Sequence, residues 1–218
     1  MESITPYNNS DSKTDQVAEM FNNIAFRYDF LNSLLSLGIH KGWRKKCIKL
    51  ISKNNPKYIL DVATGTGDLA IAVQKGTSAN VVGLDLSQQM LNVGIDKIKK
   101  INLNEKIEMV KGDAENLSFE DNKFDAVSVA FGVRNFENLE KGLLELRRVV
   151  KENASVYILE FSKVEGFLAP FYMFYFKNIL PQIGKLVSKD NRAYTYLPDS
   201  VNAFPYGEKM KSILENVG

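Results

Sequence analysis

From Lys57 onward, short apolar runs alternate with runs whose apolar positions have helical spacing. Short apolar, β-branched runs predict strands over 58–62, 80–84, 107–110, 124–130 and 155–161. Runs with apolar positions at helical spacing predict helices over 68–74, 87–100 and 139–150. Because strands and helices alternate, the pattern predicts a doubly wound α/β fold with a mostly parallel sheet and helices on both faces.

The segment before this alternation is predicted to be helical. Ser12 and Asp15 have the spacing of a capping box, and Val17, Met20 and Ile24 follow on one helical face. A second helical run covers about 43–51. We expect one domain, with a loosely attached or disordered tail at 1–11, N-terminal helices at 12–55 and a cofactor-binding core at 56–162.

Residues 167–187 are strongly apolar and aromatic. The uncharged stretch before Lys177 is too short to span a bilayer, and Pro170 and Pro181 interrupt it. Two interpretations remain open: a buried helical insertion over the sheet, or a lid that binds an apolar substrate or contacts a membrane surface. We assign the lid to 163–206 and a C-terminal helix to 207–218.

Composition narrows the class of protein. The chain is 44% hydrophobic and 25% charged, as in ordinary globular proteins, and its formal charge of +2 gives no electrostatic case for a nucleic-acid partner. The single Cys47 excludes an intrachain disulfide, and with His40 as the one histidine we expect no metal site. No apolar signal region precedes Gln16, so we expect a cytoplasmic location.

The run between the first strand and the first core helix carries the strongest motif. It comprises Asp61, Val62, Ala63, Thr64, Gly65, Thr66, Gly67 and Asp68. The glycines permit a tight turn and a close approach of the backbone to a ligand. The spacing alone also fits dinucleotide binding, but two carboxylates would repel a pyrophosphate and suit the sulfonium and ammonium groups of S-adenosylmethionine. The alternative for Asp68 is an acid that complements the helix dipole.

Further acidic residues follow the next strands. Asp85 ends the second strand and is placed to accept hydrogen bonds from ribose hydroxyls. Asp113 follows the third strand, where it is placed to accept from an adenine amino group with the Ala114 backbone beside the ring. All these residues lie at the carboxyl edge of the predicted sheet, where such folds bind ligands. The series therefore predicts a methyltransferase that uses S-adenosylmethionine.

Four further motifs carry a family resemblance from about Ala18 to Gly218. They are Tyr28-Asp29-Phe30-Leu31-Asn32 followed by Ser36, His40 and Trp43; Phe131-Gly132-Val133-Arg134-Asn135; Leu159-Glu160-Phe161-Ser162-Lys163; and Tyr194 to Pro205. In these residues the chain resembles the quinone-biosynthesis C-methyltransferases, that is, the demethylmenaquinone and 2-polyprenyl-6-methoxy-benzoquinol methyltransferase family.

The chain departs from the family pattern at several points. Leu31 replaces the usual methionine, and 152–154 replaces a Pro-Gly-Gly turn before the fifth strand. Ala130 stands where many relatives have a serine that is thought to contact the cofactor, so one hydrogen bond would be lost there. The family's sheet has two more strands than the five predicted here, which would leave the edge of the fifth strand exposed.

The resemblance implies methyl transfer to a ring carbon of a demethylated polyprenyl quinol. The apolar segment favours demethylmenaquinol over a ubiquinone precursor, and a long prenyl tail implies a peripheral membrane surface as a partner. Arg134, with Asn135 beside it, is the candidate for stabilising a phenolate-like charge. For the general base, His40, Tyr28, Asp29 and Arg134 acting through a water remain open.

Simpler interpretations stay beside these. For Arg134 the alternative to a role in the active site is a salt bridge to Glu137 or another acid, and a lone histidine such as His40 is commonly structural. A methyltransferase acting on another small molecule and a cofactor-binding protein without activity are the other two functional hypotheses. A homodimer is left open.

Overall fold

Five parallel strands form the central sheet in the computed structural model, which describes residues 4–7, 9–35, 38–162, 166 and 192–218. The strands are β1 (Tyr58–Val62), β2 (Asn80–Asp85), β3 (Ile107–Lys111), β4 (Phe124–Ala130) and β5 (Val150–Leu159). Their order across the sheet is β3-β2-β1-β4-β5, and every pairing is parallel. The strand order reverses between β1 and β4, and this reversal creates a crevice at the carboxyl ends of the strands.

Seven helices surround the sheet in the part of the chain that the structure describes. They are α1 (Lys13–Leu35), α2 (Ile39–Ser52), α3 (Asp68–Thr77), α4 (Gln88–Lys100), α5 (Leu139–Val149), α6 (Arg192–Ala203) and α7 (Glu208–Val217), with one 3-10 turn at Val133–Asn135. The predicted caps are present: the Asp15 backbone N–H donates to Ser12 Oγ at 3.1 Å, and the Met90 N–H donates to Ser87 Oγ at 3.2 Å. No helix among these residues is both long enough and apolar enough to cross a bilayer.

The core lies on both faces of β1. On one face Leu60 and Val62 pack with Leu146 of α5, and on the other Ile59 packs with Ile51 of α2. Neighbouring strands are buried in the same way, which explains their continuous apolar runs. The doubly wound fold predicted from the sequence is therefore confirmed.

One local prediction was wrong. The strand expected at 155–161 begins at Val150, because residues 151–154 form an irregular extension between the pairs Phe124–Val150 and Ala126–Ser155. Asn153 there adopts a left-handed conformation with φ 63°. The described part of the N-terminal tail contacts the buried side chain of Gln16 in α1, which thereby gains a hydrogen-bond partner. The Tyr7 N–H donates to Gln16 Oε1 at 2.9 Å.

The apolar segment 167–187 lies outside the described residues, as does most of the predicted lid over 163–206. The C-terminal part of that range forms α6, and the predicted C-terminal helix is α7, which packs against α5 through Met210 and Ile213.

Asp61 ties β1 to β4 inside the sheet. Its carboxylate is 1% exposed and accepts hydrogen bonds from Thr64 Oγ1 at 2.7 Å and Ser128 Oγ at 2.6 Å. Desolvation by burial raises the pKa of Asp61 to about 6, although these hydrogen bonds act in the opposite direction. The charged form is therefore disfavoured by burial and supported by its two hydroxyl partners and by the charge of Arg44.

We predict that Asp61→Asn changes how stability depends on pH. Because the folded pKa of about 6 lies above the usual value, the wild-type carboxyl contributes stability that is complete below about pH 4 and is lost as the pH rises through about 6. The free energy of unfolding of the wild type, relative to the variant, should therefore be larger near pH 4 than near pH 7.5. Urea unfolding of both proteins across this range measures it, and parallel pH profiles would contradict the prediction.

Candidate active site

A cleft that opens to solvent lies at the carboxyl ends of the strands, with about 660 Å³ of empty space when its open part is included. Its walls come from α1, from the loops after β1, β2, β3 and β4, and from the 3-10 turn. The lining residues are Thr14, Val17, Phe21, Tyr28, Ala63, Gly65, Leu84, Asp85, Leu86, Met90, Gly112, Asp113, Ala114, Glu115, Ala130, Phe131, Gly132, Asn135 and Phe136. The cleft therefore occupies the crevice at which open α/β sheets bind their ligands.

The glycine-containing loop after β1 turns sharply over this cleft. Gly65 and Gly67 have φ of 58° and 77°, a region that glycine enters without steric cost, and Ala63 is also left-handed with φ 53°. The Gly65 backbone N–H donates to Asp85 Oδ2 at 2.8 Å. The bend turns the backbone at Gly65 toward the cleft, and because Gly65 has no side chain, nothing separates that backbone from the cleft.

Asp85 lies in the cleft at the end of β2, as the sequence predicted. Its second oxygen, Oδ1, accepts from the Ser87 N–H at 2.9 Å. Burial raises its pKa, while the backbone donors of Ser87 and Gly65 favour the charged form. A carboxylate offers about four lone-pair sites, so Asp85 keeps acceptor capacity for a vicinal diol, and its predicted role at the ribose stays a prediction.

Asp113 and Ala114 also line the cleft where the sequence placed them, after β3. Asp113 Oδ1 accepts from the Glu115 N–H at 2.9 Å, so this residue shapes its own turn as well. Ala114 is buried and forms part of the cleft wall. Ala130, at the end of β4, lines the cleft without a polar group to offer.

The charges of the cleft fit S-adenosylmethionine. Three carboxylic acids line it, namely Asp85, Asp113 and Glu115, and among the described lining residues none is a lysine or arginine. Such a wall suits a ligand with a sulfonium and an ammonium group and opposes one with a pyrophosphate. The sequence predicted carboxylates that would repel a pyrophosphate, and the cleft has them. They are Asp85, Asp113 and Glu115 rather than Asp61 and Asp68.

Several loop residues predicted to bind the cofactor do not line the cleft. Asp61 points into the sheet, and Asp68 faces α2 and α4, where it pairs with Arg44 at 2.8 Å and with Lys97. Burial opposes ionisation of Asp68, but its bonds to Lys97 and Arg44 hold the pKa below the usual value. Thr64, Thr66 and Gly67 are likewise absent from the lining. These residues shape the loop from behind.

Asp29, a candidate general base, is part of the same support. Thr66 Oγ1 donates to Asp29 Oδ1 at 2.5 Å, and Lys97 Nζ donates to Asp29 Oδ2 at 2.8 Å and to Thr66 Oγ1 at 3.1 Å. With Arg44 and Asp68, these groups join α1, α2 and α4 to the glycine loop. Asp29 is outside the cleft lining, and its oxygens already bind partners.

Tyr28 lies on the cleft wall, with its ring against the glycine loop. A β-carbon built on Gly65 would be 3.8 Å from Tyr28 Cε1, and the ring contacts Phe21 edge to face with centroids 5.9 Å apart. Burial raises the pKa of the Tyr28 phenol. Near neutral pH the hydroxyl is therefore protonated, which makes it a hydrogen-bond donor and a poor base.

Arg134 is buried in an ion pair, with its side chain 7% exposed. Its Nη1 donates to Glu160 Oε1 at 2.9 Å and to the Phe131 carbonyl. Nε has no hydrogen-bond partner among the described residues. Arg134 lines a second cavity that adjoins the cleft and shares Phe136 with it. Arg134 therefore forms a salt bridge, as the simpler interpretation of the sequence proposed, and its partner is Glu160.

Glu137, the partner suggested by sequence proximity, binds elsewhere: Oε2 accepts from the N–H and the hydroxyl of Thr14 at 3.2 and 3.1 Å. Asn135 lies on the cleft wall, where its Oδ1 accepts a hydrogen bond from the Tyr196 hydroxyl at 3.2 Å. The side chain of His40 lies outside the described residues.

Two residues of the site were missed from the sequence. Glu115 is 8% exposed, and its Oε1 accepts from the Glu137 and Asn138 N–H groups at 2.6 and 3.0 Å. Tyr196 reaches the 3-10 turn from α6. Glu115 follows the predicted Asp113-Ala114 pair directly, so its position was a usable signal. Tyr196 lies in a recognised motif, but no local pattern links it to Asn135.

The parallel sheet with its reversal between β1 and β4, the left-handed glycine loop and the acidic, phosphate-excluding cleft define a class of protein. They are the features of an S-adenosylmethionine-dependent methyltransferase with a Rossmann-like fold.

Residues 9–218 match the model of the ubiE/COQ5 methyltransferase family. A demethylmenaquinone methyltransferase of Bacteroides fragilis is 48% identical over 219 residues, which cover 100% of this chain and 89% of that protein. A ubiquinone/menaquinone biosynthesis C-methyltransferase of Geotalea uraniireducens is 44% identical, covering 94% of this chain and 88% of the relative. The chain therefore belongs to the ubiE/COQ5 methyltransferase family.

Solved structures share the fold at lower identity. A putative S-adenosylmethionine-dependent methyltransferase from Methanococcus maripaludis matches with a TM-score of 0.60 at 19% identity, covering 97% of this chain and 88% of that one. The cyclase SpnF also matches with a TM-score of 0.60, at 20% identity over 75% of this chain and 64% of its own. At this identity the likeness concerns the fold alone.

We predict that Asp85→Ala weakens binding of S-adenosylhomocysteine. The variant loses one or more charge-assisted hydrogen bonds, each of about 1.5–3 kcal/mol. Calorimetry of the purified protein measures the loss, with Asp121→Ala as the control because Asp121 is 67% exposed and bonds Arg148 away from the cleft. Unchanged affinity in Asp85→Ala would remove Asp85 from the binding site.

Proposed function

We propose that this protein transfers the methyl group of S-adenosylmethionine to a ring carbon of a demethylated polyprenyl quinol, namely demethylmenaquinol. One observation carries the proposal: Tyr28 and Asn135, which come from two separate motifs of the family resemblance, line the same cleft as Asp85. A donor site and an acceptor site thus meet in one space. The names of the relatives from Bacteroides fragilis and Porphyromonas gingivalis support the choice of demethylmenaquinol.

The cleft has parts suited to both reactants. Asp85, Asp113 and the backbone at Gly65 are placed to hold S-adenosylmethionine, which supplies an electrophilic methyl group when bound. Phe21, Phe131 and the ring of Tyr28 offer apolar walls for an aromatic acceptor. Since the displacement at the methyl group needs no covalent help from the protein, holding the two reactants in line contributes most of the rate acceleration.

The acceptor carbon becomes a good nucleophile when a neighbouring ring hydroxyl ionises, so the site should favour negative charge on that oxygen. Tyr28 and Asn135 provide polar groups in the cleft, and the positive charge of Arg134 acts on Tyr28 through space, as it favours the ionised phenol. Glu160 offsets much of the Arg134 charge. We therefore assign Arg134 a role in shaping and polarising this wall, in addition to direct stabilisation of a phenolate.

An alternative acceptor is a ubiquinone precursor. The relative from Geotalea uraniireducens is named for both quinones, and the described walls of the cleft do not distinguish a naphthalene from a benzene ring. The acceptor ring is therefore a matter for direct assay.

The assay combines isotopically labelled S-adenosylmethionine with each reduced precursor. We expect label in menaquinol. Transfer only to the benzoquinol would establish the alternative acceptor, and transfer to neither, with intact binding of S-adenosylhomocysteine, would contradict the proposal.

We predict that Arg134→Lys lowers kcat with little change in affinity for S-adenosylhomocysteine. A lysine keeps the charge but lacks the planar guanidinium whose Nη1 donates to both Glu160 and the Phe131 carbonyl. Steady-state kinetics and calorimetry separate the two quantities. Arg148→Lys is the matched control, because Arg148 also bonds an acid and backbone carbonyls, far from the cleft lining. Wild-type turnover in Arg134→Lys would make the residue structural.

We further propose that the protein meets its substrate at the inner surface of the cytoplasmic membrane, because a long prenyl tail resides in the bilayer. The aromatic composition of 167–187 and the cations Lys177 and Lys185 support an interfacial segment that contacts anionic headgroups.

We predict that replacing Phe171 and Tyr175 together by serine reduces liposome association and turnover of long-tailed quinols, while turnover of a short-tailed, soluble quinol survives. Flotation with anionic vesicles and parallel assays measure these effects. The matched control replaces Phe26, which is 82% exposed on α1, by serine. Equal loss of activity on both substrates would show that the segment is part of the core.

A further inference from the structure

Tyr196 of α6 is buried beside the proposed acceptor site. It is 4% exposed and packs with Val17 and Met20 of α1. Its hydroxyl donates to Asn135 Oδ1 at 3.2 Å. A helix distant in sequence thereby contacts the one amide side chain on the described cleft wall.

This hydrogen bond restrains the Asn135 side chain, and in the structure the amide oxygen is the end that meets Tyr196. An asparagine side chain has an acceptor oxygen and a donor NH₂ group on opposite sides of the same carbon. With Oδ1 turned to the Tyr196 hydroxyl, the two N–H donors are directed away from α6, and Asn135 lines the cleft. The reversed amide would present a carbonyl oxygen, which repels a developing oxyanion.

The phenol at position 196 is suited to this constant role. Burial raises the pKa of Tyr196 to about 12, with Arg134 acting to lower it and Glu160 to raise it. The hydroxyl therefore keeps its proton throughout the working range of an enzyme and always has one to donate. Arg134 and Glu160 are the charged groups that act on it, and they form an ion pair with each other.

We propose that Tyr196 is a positioning residue for methyl transfer: it holds the Asn135 amide so that its N–H groups face the hydroxyl oxygen of the acceptor ring. The inference rests on the proposed function, because it needs an aromatic alcohol in the cleft. Donors at that oxygen stabilise its ionised form, and the ionised ring is the better nucleophile. Tyr196 itself does not touch the reacting atoms.

The test compares wild type, Tyr196→Phe, Asn135→Ala and the double variant in the full chain. In Tyr196→Phe we expect kcat to fall roughly tenfold, the loss of about one hydrogen bond, with unchanged affinity for S-adenosylhomocysteine. The rising limb of the kcat–pH profile should move about one unit higher, because the acceptor ionises less readily. The double variant should be no slower than Asn135→Ala alone, since both changes remove the same interaction.

Tyr157→Phe is the matched control. Tyr157 also bonds an asparagine, since its hydroxyl accepts from Asn54 Nδ2 at 3.2 Å, but this bond is exposed and neither residue lines the cleft. Its kcat and pH profile should equal those of wild type. Wild-type kcat in Tyr196→Phe, multiplicative losses in the double variant, or an unshifted pH profile would each overturn the inference.

A second readout does not require methyl transfer. The phenolate of 4-nitro-1-naphthol absorbs visible light, so its ionisation can be followed when it is bound together with S-adenosylhomocysteine. We expect it to ionise at lower pH on wild type than on Tyr196→Phe. This result would support the role of Tyr196 even if demethylmenaquinol were not methylated, whereas equal ionisation or no binding to wild type would contradict it.

Discussion

The bond from the Gly65 N–H to the carboxylate of Asp85 is the interaction on which the cleft depends. It holds the loop after β1 against the end of β2, so the two halves of the donor site cannot separate. Asp61 supports the same loop from below through Thr64, and Asp29 supports it from the α1 side through Thr66. Three carboxylates from different elements thus fix one short turn whose backbone is left-handed at several positions.

The hydrogen bonds and ion pairs around the loop also determine which of its sides carries net negative charge. Arg44 and Lys97 both bind Asp68 behind the turn, and Lys97 also binds Asp29. The carboxylates in front of the turn, such as Asp85, have backbone N–H groups as partners instead. Because of this pairing, the cleft side of the turn is acidic and the opposite side is close to neutral. This charge distribution distinguishes a cleft that suits a sulfonium from one that suits a phosphate, within the same fold.

The sequence predicted the parallel sheet, the acid that ends β2 and the acid that follows β3, because burial on both faces gives continuous apolar runs and the carboxyl ends of parallel strands share one edge. It did not reveal which way each acid points. Asp61 lies within β1, directly opposite Ser128 of β4, so the two side chains are on the same face of the sheet. Its carboxylate therefore bonds Ser128 rather than a ligand. The pairing of Arg134 with Glu160 and of Tyr196 with Asn135 joins distant segments, and such contacts have no local signature in one sequence.

The shared fold does not select the reaction, since a cyclase and a methyltransferase match this chain equally well by TM-score. The difference must come from side chains that the sheet itself does not supply. In this protein the polar side chains that we propose for the acceptor side are Tyr28 of α1 and Asn135 of the 3-10 turn, and Asn135 accepts a hydrogen bond from Tyr196 of α6. Helices α1 and α6 share one buried cluster, which contains Val17 and Tyr196. We therefore expect acceptor specificity to depend on this helical layer, and donor binding to depend on the sheet and its loops.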